Sequence, residues 1–375
     1  MNTITGGGTM LKLFGNKRKK KGGGWLKVFA FRLNGRDKDN PSELLEGYEG
    51  FIFACVNIIA SRVAGTKLRL FRREGDTERE VLSHPLLDLI REPNPYITQY
   101  TFLYLTQAWM ELTGNAYWVR TGRELWPLPP QWVRVVAGQW PKVIQGYMYN
   151  PPWLAEAMFF SDEEVIHFKR PNPQDPIYYG ASTLRAAFGE TEFWRLAGEY
   201  RNNRLENGGV PPAAVVLSEE ASPEDMDRIR AEFQRLHQGT ANAGRPAILP
   251  PGTEMRLLEV PPVDREFAEA MRLTRENILA IFGVPGSKLG LVQDVNRANA
   301  EANDLTFLNE VIKPRLRFLE DILNSEITYL YGDSLTLRFD DPLPRDWEFA
   351  LRKVETLVTL GVMSLEEARR EMELE

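Results

Sequence analysis

Cysteine and histidine are scarce in this sequence, which has one Cys and three His among 375 residues. With Cys55 alone no intramolecular disulfide can form, so we expect synthesis in a reducing cytoplasm and a packing role for this thiol. His84, His167 and His237 are far apart and none has a histidine four residues away, so zinc sites and a Cys-His dyad are not supported. The sequence therefore predicts neither a metal ion nor a cofactor.

Long apolar runs and an excess of positive charge are missing as well. No uninterrupted stretch of about 18 apolar residues occurs, so membrane spanning and export are not expected. The 46 Lys and Arg are outnumbered by 52 Asp and Glu, which gives a net charge of -6. Gripping duplex DNA draws on clustered cations, so this balance argues against a DNA-coating protein, although an acidic protein can still surround DNA without holding it.

The sequence also lacks a nucleotide-binding loop. The pattern Gly-x-x-x-x-Gly-Lys-Ser/Thr does not occur, and the segment from Gly283 to Lys288 has the wrong spacing for it. Acidic pairs such as Asp340-Asp341 are typical of turns and surfaces, whereas a two-metal nuclease needs convergent carboxylates. We therefore predict no catalytic residues and no enzymatic activity.

What is present indicates a globular chain of two or three packed units, because 43% of the residues are hydrophobic and single cores stop growing at about 250 to 300 residues. Residues 1–24 are the exception, since two Gly runs flank a basic cluster there. Such a composition predicts a disordered tail. Its cations are either simply solvated or contact an anionic partner such as DNA.

Residues 43–176 have a mixed pattern. Helical spacing covers 47–64, 85–92 and 99–112, and alternation around the turn Glu74-Gly75-Asp76 predicts a hairpin. Gly114 has the position of a left-handed helix cap. Short strands are predicted at 116–120, 133–137, 143–149 and 164–168, and the many prolines between them argue against a large regular sheet.

The remainder alternates long helices with short inserts. A helix over 182–206 and a returning helix over 264–282 enclose a small insert, which has strands near 210–217, 247–249 and 254–260 and a helix over 223–238. After the irregular segment 283–296, apolar spacing predicts one long helix over 297–331, with a kink at Pro314. A strand over 334–339 and helices over 345–360 and 364–373 follow.

Seven short motifs occur in an order that resembles the portal proteins of long-tailed double-stranded DNA bacteriophages. None is specific alone, but together they span residues 47–291. The motifs are Ala54-Cys55-Val56-Asn57-Ile58-Ile59-Ala60, His84-Pro85-Leu86-Leu87-Asp88-Leu89-Ile90, Pro93-Asn94-Pro95, Gly114-Asn115-Ala116-Tyr117, Glu164-Val165-Ile166-His167-Phe168, Tyr179-Gly180-Ala181-Ser182-Thr183-Leu184 and Phe282-Gly283-Val284-Pro285.

This resemblance implies an α+β portal fold and a division of the chain into named parts. Residues 25–181 would form the mixed part of the wing, and 297–344 would complete the wing with the long kinked helix and a strand. The other parts would be a two-helix stem (182–209 and 263–282), a small α/β clip (210–262), a tunnel loop (283–296) and a short helical crown (345–375).

The resemblance also implies a structural role in the virion. About twelve copies would form a homo-oligomeric ring at one capsid vertex, a DNA translocation channel and head-tail connector for DNA packaging, retention and viral genome ejection. The implied partners are further copies of the chain, double-stranded DNA, the large terminase motor, the head-tail adaptor and the major capsid protein or scaffold, and no membrane.

The tunnel loop is the main candidate site. Passing DNA needs weak, repeated contacts, which apolar and mixed-charge side chains can make, whereas a ring of Arg would bind phosphates strongly and stall movement. An ordinary loop between two helices is the alternative. The candidate channel residues are Lys288, Leu289, Gly290, Leu291, Val292, Gln293, Asp294 and Val295.

Charged helices supply two further candidate surfaces. On the second stem helix, Arg265, Glu269, Arg272, Arg275 and Glu276 are predicted to contact neighbouring subunits. On the clip helix, Glu224, Asp225, Asp227, Arg228 and Glu232 are predicted to face the motor and then the adaptor, since such exchange favours a polar interface. Simple exposure to solvent explains both sets as well.

Two other classes of function stay open at this point. A head-tail adaptor or minor capsid protein is the first, although such proteins are generally shorter and lack this order of helices and inserts. A packaging-associated nuclease or ATPase is the second. Hydrolysis of ATP or cleavage of DNA by purified protein that forms no rings would favour the enzyme.

Overall fold

A computed structural model describes residues 40–75, 77–206, 213–216, 222–237, 254–257, 263–291, 297–332, 334–343 and 347–371. All of them belong to one compact unit that begins at Lys38. The predicted tail, residues 1–24, lies outside the described residues. Helices and short antiparallel sheets make up the unit, so the fold class is α+β, as predicted.

Four helices of the first part organise the core: α1 (Pro41–Glu46), α2 (Gly50–Ala64), α3 (Pro85–Arg91) and α4 (Gln99–Thr113). The buried face of α2 packs against α4 and includes Cys55, which is fully buried as expected. Gly114 ends α4 with φ 78°, which confirms the predicted left-handed cap.

Three small sheets surround these helices. The strands of the first part are β1 (Leu68–Glu74), β2 (Thr77–Val81), β3 (Asn115–Thr121), β4 (Glu124–Leu128), β5 (Val133–Ala137), β6 (Ile144–Tyr149), β7 (Met158–Ser161) and β8 (Val165–Lys169). They pair in the orders β4-β3-β8 and β5-β6-β7, and β1-β2 is joined by β11 (Leu335–Phe339) from the far end of the chain. The hairpin at residues 74–77 is confirmed, and no described sheet exceeds three strands.

Two of these strands were not predicted. The strand β4 contains Pro127, which reads as a breaker in sequence but is tolerated because β4 lies at the edge of its sheet. The strand β7 follows a Pro-rich turn and has only four residues. Alternation of apolar and polar side chains cannot be detected over so short a stretch.

The second part contains α5 (Thr183–Ala186), α6 (Phe188–Glu206), β9 (Ala213–Val216), α7 (Pro223–His237), β10 (Glu254–Leu257) and α8 (Val263–Phe282). The prediction of a single helix over 182–206 is wrong at one point. The backbone of Ala187, with φ -91° and ψ 8°, separates α5 from α6. Tertiary packing explains the break, since Ala187 is fully buried there. The strand predicted at 247–249 lies outside the described residues.

The long helix is also divided. It consists of α9 (Arg297–Phe307), a π-helical turn (Leu308–Ile312) and α10 (Lys313–Glu326), followed by a 3-10 turn at Thr328–Tyr331. A kink was predicted at Pro314, but the irregularity in the helix lies in the turn before this proline. Pro314 has no N–H to donate and its ring crowds the preceding turn, which the wider π-helical turn accommodates. The helices α11 (Trp347–Thr359) and α12 (Leu365–Glu371) follow.

Two apolar clusters hold these elements. The larger joins α2 and α4 to the end of α8, to α10 and to the inner face of β11. The smaller lies between the sheets β4-β3-β8 and β5-β6-β7, around Tyr117 and Tyr147. Among the described helices, none is long and apolar enough to cross a membrane.

Candidate functional site

A buried carboxylate joins elements from distant parts of the chain. Glu111 of α4 is fully buried, and Arg315 of α10 donates to both of its oxygens, Nε to Oε1 at 2.6 Å and Nη2 to Oε2 at 3.3 Å. Nη1 of Arg170 and the hydroxyl of Thr183 also donate to Oε2, at 2.7 and 2.6 Å, and Gln107 donates to Oε1. The carboxylate therefore ties α4 to α5, α10 and the segment after β8.

Charge explains why Glu111 is stable in this position. Burial alone would raise the pKa of Glu111, but the guanidinium groups of Arg315 and Arg170 outweigh burial and hold the pKa at about 2. The carboxylate is therefore ionised at neutral pH and its lone pairs are satisfied. Sequence reasoning missed this residue, although an acid between Met110 and Leu112, with Gln107 four residues before it, is a detectable sign of a buried polar pair.

The candidate tunnel loop begins at a well-defined helix end. Gly283 follows α8 with φ 70°, and its N–H and that of Val284 donate to the carbonyls of Ala280 and Leu279. These hydrogen bonds form a Schellman motif, in which an apolar residue commonly follows the glycine, and Val284 in that position is buried. The chain thus leaves the stem in a fixed direction.

The next residues are anchored rather than free. A 3-10 turn covers Gly286–Leu289, and the side chains of Leu289 and Leu291 pack against the main core. Nζ of Lys288 lies 2.7 Å from Oδ2 of Asp304 on α9. Of the eight predicted channel residues, Lys288, Leu289, Gly290 and Leu291 lie in this anchored half, and Val292, Gln293, Asp294 and Val295 lie outside the described residues.

The charged stem residues pair mostly within their own helix. Arg272 is 2.6 Å from Glu269 and 2.5 Å from Glu276, and all three side chains are about half exposed. Arg275 is partly buried, and its Nε has no hydrogen-bond partner among the described residues. The side chain of Arg265 lies outside the described part of the chain. The two stem helices meet where Asn277 donates to Glu190 at 3.1 Å.

The clip helix α7 begins as predicted. The hydroxyl of Ser222 accepts from the N–H of Asp225 at 3.2 Å, and the Asp225 carboxylate accepts from Ser222 in return. These hydrogen bonds to Ser222 lower the pKa of Asp225. Exposed pairs three residues apart join Asp225 to Arg228, Asp227 to Arg230 and Glu232 to Arg235, while Glu224 lies exposed in the first turn.

Two of the three histidines, His84 and His167, have structural partners. Nδ1 of His84 accepts the N–H of Leu86 and so caps α3. His167 lies within β8 rather than at its end, hydrogen-bonded to Asn115 at 3.0 Å and to Tyr147 at 3.3 Å. Burial and the charge of Lys169 lower the pKa of His167 to about 3. Within the described ranges, no group of three or more His, Cys, Asp or Glu is placed to hold a metal ion.

Most of the chain matches known proteins. A family model described as phage portal protein matches residues 51–373. The chain is 25% identical to a solved structure of the neck of an empty gene transfer agent particle computed with C6 symmetry, which covers 89% of this chain and 92% of that chain with a TM-score of 0.63.

Two further solved structures share the fold. The neck of the native gene transfer agent particle computed with C12 symmetry is 24% identical, with a TM-score of 0.61 and coverage of 89% of this chain and 92% of that chain. An HK97-family phage portal protein from Corynebacterium diphtheriae is 16% identical, with a TM-score of 0.59, and the match covers 83% of this chain and all of that chain.

Proposed function

Since this chain belongs to the phage portal protein family and serves as the portal protein at a capsid vertex, we propose that about twelve copies close there into a ring around double-stranded DNA. The family match over residues 51–373 carries this proposal. The similarity to a particle neck computed with C12 symmetry supports the subunit number. The ring is a passive conduit, and a separate motor hydrolyses ATP.

Within this ring, the segment 283–296 is the part that meets DNA. Its first half is anchored by Val284 and by the Lys288–Asp304 pair, which favours contact through the second half, Val292 to Val295. Mixed apolar and polar side chains at these four positions suit weak, repeated contacts with a moving duplex. The anchored half sets the direction in which the second half leaves the ring wall.

The stem and clip supply the protein contacts. Because Arg272 and Arg275 balance the charges of Glu269 and Glu276 on the same helix, these residues form a wall of low net charge, which suits a channel and a subunit contact. The exposed charges of α7 form a polar surface for successive partners, the terminase motor during packaging and then the head-tail adaptor. The division into wing, stem, clip and crown follows the same proposal.

Imaging of the purified full chain tests the ring. We expect closed rings with a central opening wide enough for a duplex and a mass of about twelve chains of 42.9 kDa each. A chain that stays monomeric at every concentration would rule the ring out. No hydrolysis of ATP and no cleavage of DNA are expected from the same preparation.

A short deletion tests the channel segment. Removing only Val292 to Val295 leaves the packed side chains of Leu289 and Leu291 in place, so rings should still form while packaging or retention of DNA falls. The matched control replaces the same four residues by glycines and separates loop length from side-chain chemistry. Rings of the deletion variant that package DNA at the normal rate would refute the role of this segment.

A further inference from the structure

Several edges of the small sheets that the structure describes are protected. On the edge strand β11, Asn324 of α10 hydrogen-bonds both the N–H and the carbonyl of Leu337, at 2.7 and 2.9 Å. On β4, the carbonyl of Pro93 accepts from Leu125 at 2.8 Å, and Asn94 donates to the Leu125 carbonyl. Such caps occupy backbone groups that would otherwise pair with another chain.

Two other edges are protected in different ways. The N–H of Val135 on β5 donates to the Tyr179 hydroxyl at 3.0 Å. The strand β2 has no cap, but Glu78, Arg79 and Glu80 make it charged and exposed, which discourages pairing. Four edge strands of the described sheets, β11, β4, β5 and β2, are therefore protected.

The strand β7 lacks such protection. It is the edge of the sheet β5-β6-β7, and no strand pairs with its outer side among the described residues. Only Ser161, at its end, has further hydrogen bonds, with Glu164. Met158 and Phe159 are 46% and 48% exposed, so this edge is apolar as well as open.

Neighbouring aromatic side chains extend the apolar surface along β7. The Phe159 ring lies across β6, so close to Gly146 that a Cβ there would be 2.6 Å from Cζ of Phe159. Trp153 packs edge-on against Trp132 before β5, at the Met158 end, and is 65% exposed. Trp140, in the β5–β6 turn at the other end, is exposed too.

Two exposed carboxylates lie at the ends of this edge, and the one after β7, Glu163, also interacts with Lys142, which pairs with Asp162 at 2.8 Å. Glu156 precedes β7 by two residues and Glu163 follows it by two. Pairing of β7 with β7 of a second copy, antiparallel about a twofold axis, would bring Glu156 towards Glu163. Like charges facing each other across strands are destabilising, so twofold pairing of β7 with β7 of a second copy is disfavoured.

We propose that the open edge of β7 binds an extended segment of a different protein, in which alternating apolar residues are flanked by Lys or Arg. The backbone of the segment adds a fourth strand to the sheet, its apolar side chains lie on the face that exposes Phe159, and its cations meet Glu156 and Glu163. This site goes beyond the portal function, and it requires no ring.

A synthetic peptide, Lys-Arg-Val-Thr-Val-Thr-Val-Arg-Lys with a fluorescent label, probes the site by anisotropy on the full chain. We expect saturable binding that weakens at least tenfold when alternate peptide nitrogens are methylated, because methylation removes the donors of the new strand. Equal binding of the methylated peptide, or no binding of the parent peptide, would overturn the proposal.

Charge exchange tests the two carboxylates. Glu156→Lys with Glu163→Lys should weaken binding at least tenfold, and a peptide with Glu in place of its Lys and Arg should then bind the double variant. The matched control, Glu49→Lys with Glu92→Lys, changes the net charge equally at two other exposed carboxylates and should have little effect. Equal weakening by the control would show that the peptide is attracted by the overall charge of the protein, which would contradict the proposal.

Sedimentation of the chain without peptide tests whether a second copy of the chain occupies the edge instead. If the double substitution at Glu156 and Glu163 changes the oligomeric state by itself, the edge is occupied by a second copy and the proposal is wrong. An unchanged oligomeric state together with lost peptide binding supports a different protein. Because binding and ring formation are measured separately, failure of one does not affect the other.

Discussion

A Cβ atom on Gly283 would lie 2.9 Å from Cγ2 of Val311, in the π-helical turn of the long helix. The end of α8 therefore touches the π-helical turn between α9 and α10 with no room for a side chain. Gly283 also has φ 70°, a conformation that costs other residues about 1 to 2 kcal/mol. Both constraints meet at the residue where the candidate tunnel loop begins.

We predict that Gly283→Ala lowers the free energy of unfolding by about 1 to 2 kcal/mol through left-handed strain, with the Val311 contact adding to it. Chemical denaturation of both proteins measures the difference. Gly198→Ala is the matched control, because Gly198 is helical and a Cβ there meets nothing within 4 Å. It should stabilise by about 0.5 to 1 kcal/mol. Equal effects of the two substitutions would contradict the strain argument.

The buried carboxylate of Glu111 leads to a second prediction. Glu111→Gln leaves Arg170 and Arg315 without their counter-charge, so we expect a loss of about 3 to 5 kcal/mol in the free energy of unfolding. Glu78→Gln removes the partner of Arg338 at a half-exposed position and should cost less than about 1 kcal/mol. A loss at Glu111 as small as that at Glu78 would argue against the buried network.

The sign of the pH effect follows from the lowered pKa of Glu111. The folded-state pKa is about 2 and the ordinary value is 4.5, so the ionised group stabilises the fold above pH 4.5. This contribution is lost as the pH falls from 4.5 towards 2. The difference in stability between the wild type and Glu111→Gln should therefore shrink across this window.

A third prediction concerns His167 and a higher pH range. Its folded-state pKa of about 3 lies below the ordinary 6.5, so the unfolded chain binds the proton first and stability falls as the pH drops from 6.5 towards 3. Between pH 7 and 5 we expect a loss of about 1 to 2 kcal/mol that His167→Gln abolishes. Unfolding curves at both pH values measure it. Persistence of the full loss in His167→Gln would assign the effect to other groups.

The single cysteine supplies a fourth prediction. Cys55 is fully buried in α2, and burial raises the pKa of its thiol to about 12. We expect negligible labelling by a thiol reagent under native conditions and full labelling once denaturant unfolds the chain. The labelling midpoint should coincide with the midpoint seen by circular dichroism. Rapid labelling of the native protein would show that the core opens locally around α2.

Periodic patterns in the sequence were enough to predict several elements. The apolar spacing of α2 and α8, the capping Ser222 of α7 and the cap at Gly114 depend on neighbours within one or two turns, and these elements have nearly the predicted bounds. Together with the order of short motifs, they determined the fold class and the family. Local propensity and helix capping act over the same short range that a sequence displays directly.

Tertiary packing alone decided the rest. The helix predicted over 182–206 is interrupted at the buried Ala187, and the charged partners of Glu111, Arg170 and Arg315, lie 59 and 204 positions away in the chain. Lys288 reads as a free channel cation in sequence, but the fold places it beside Asp304. Which strand edges are capped likewise depends on α10 and Tyr179. Contacts between distant residues form only when the chain folds, so no local pattern encodes them.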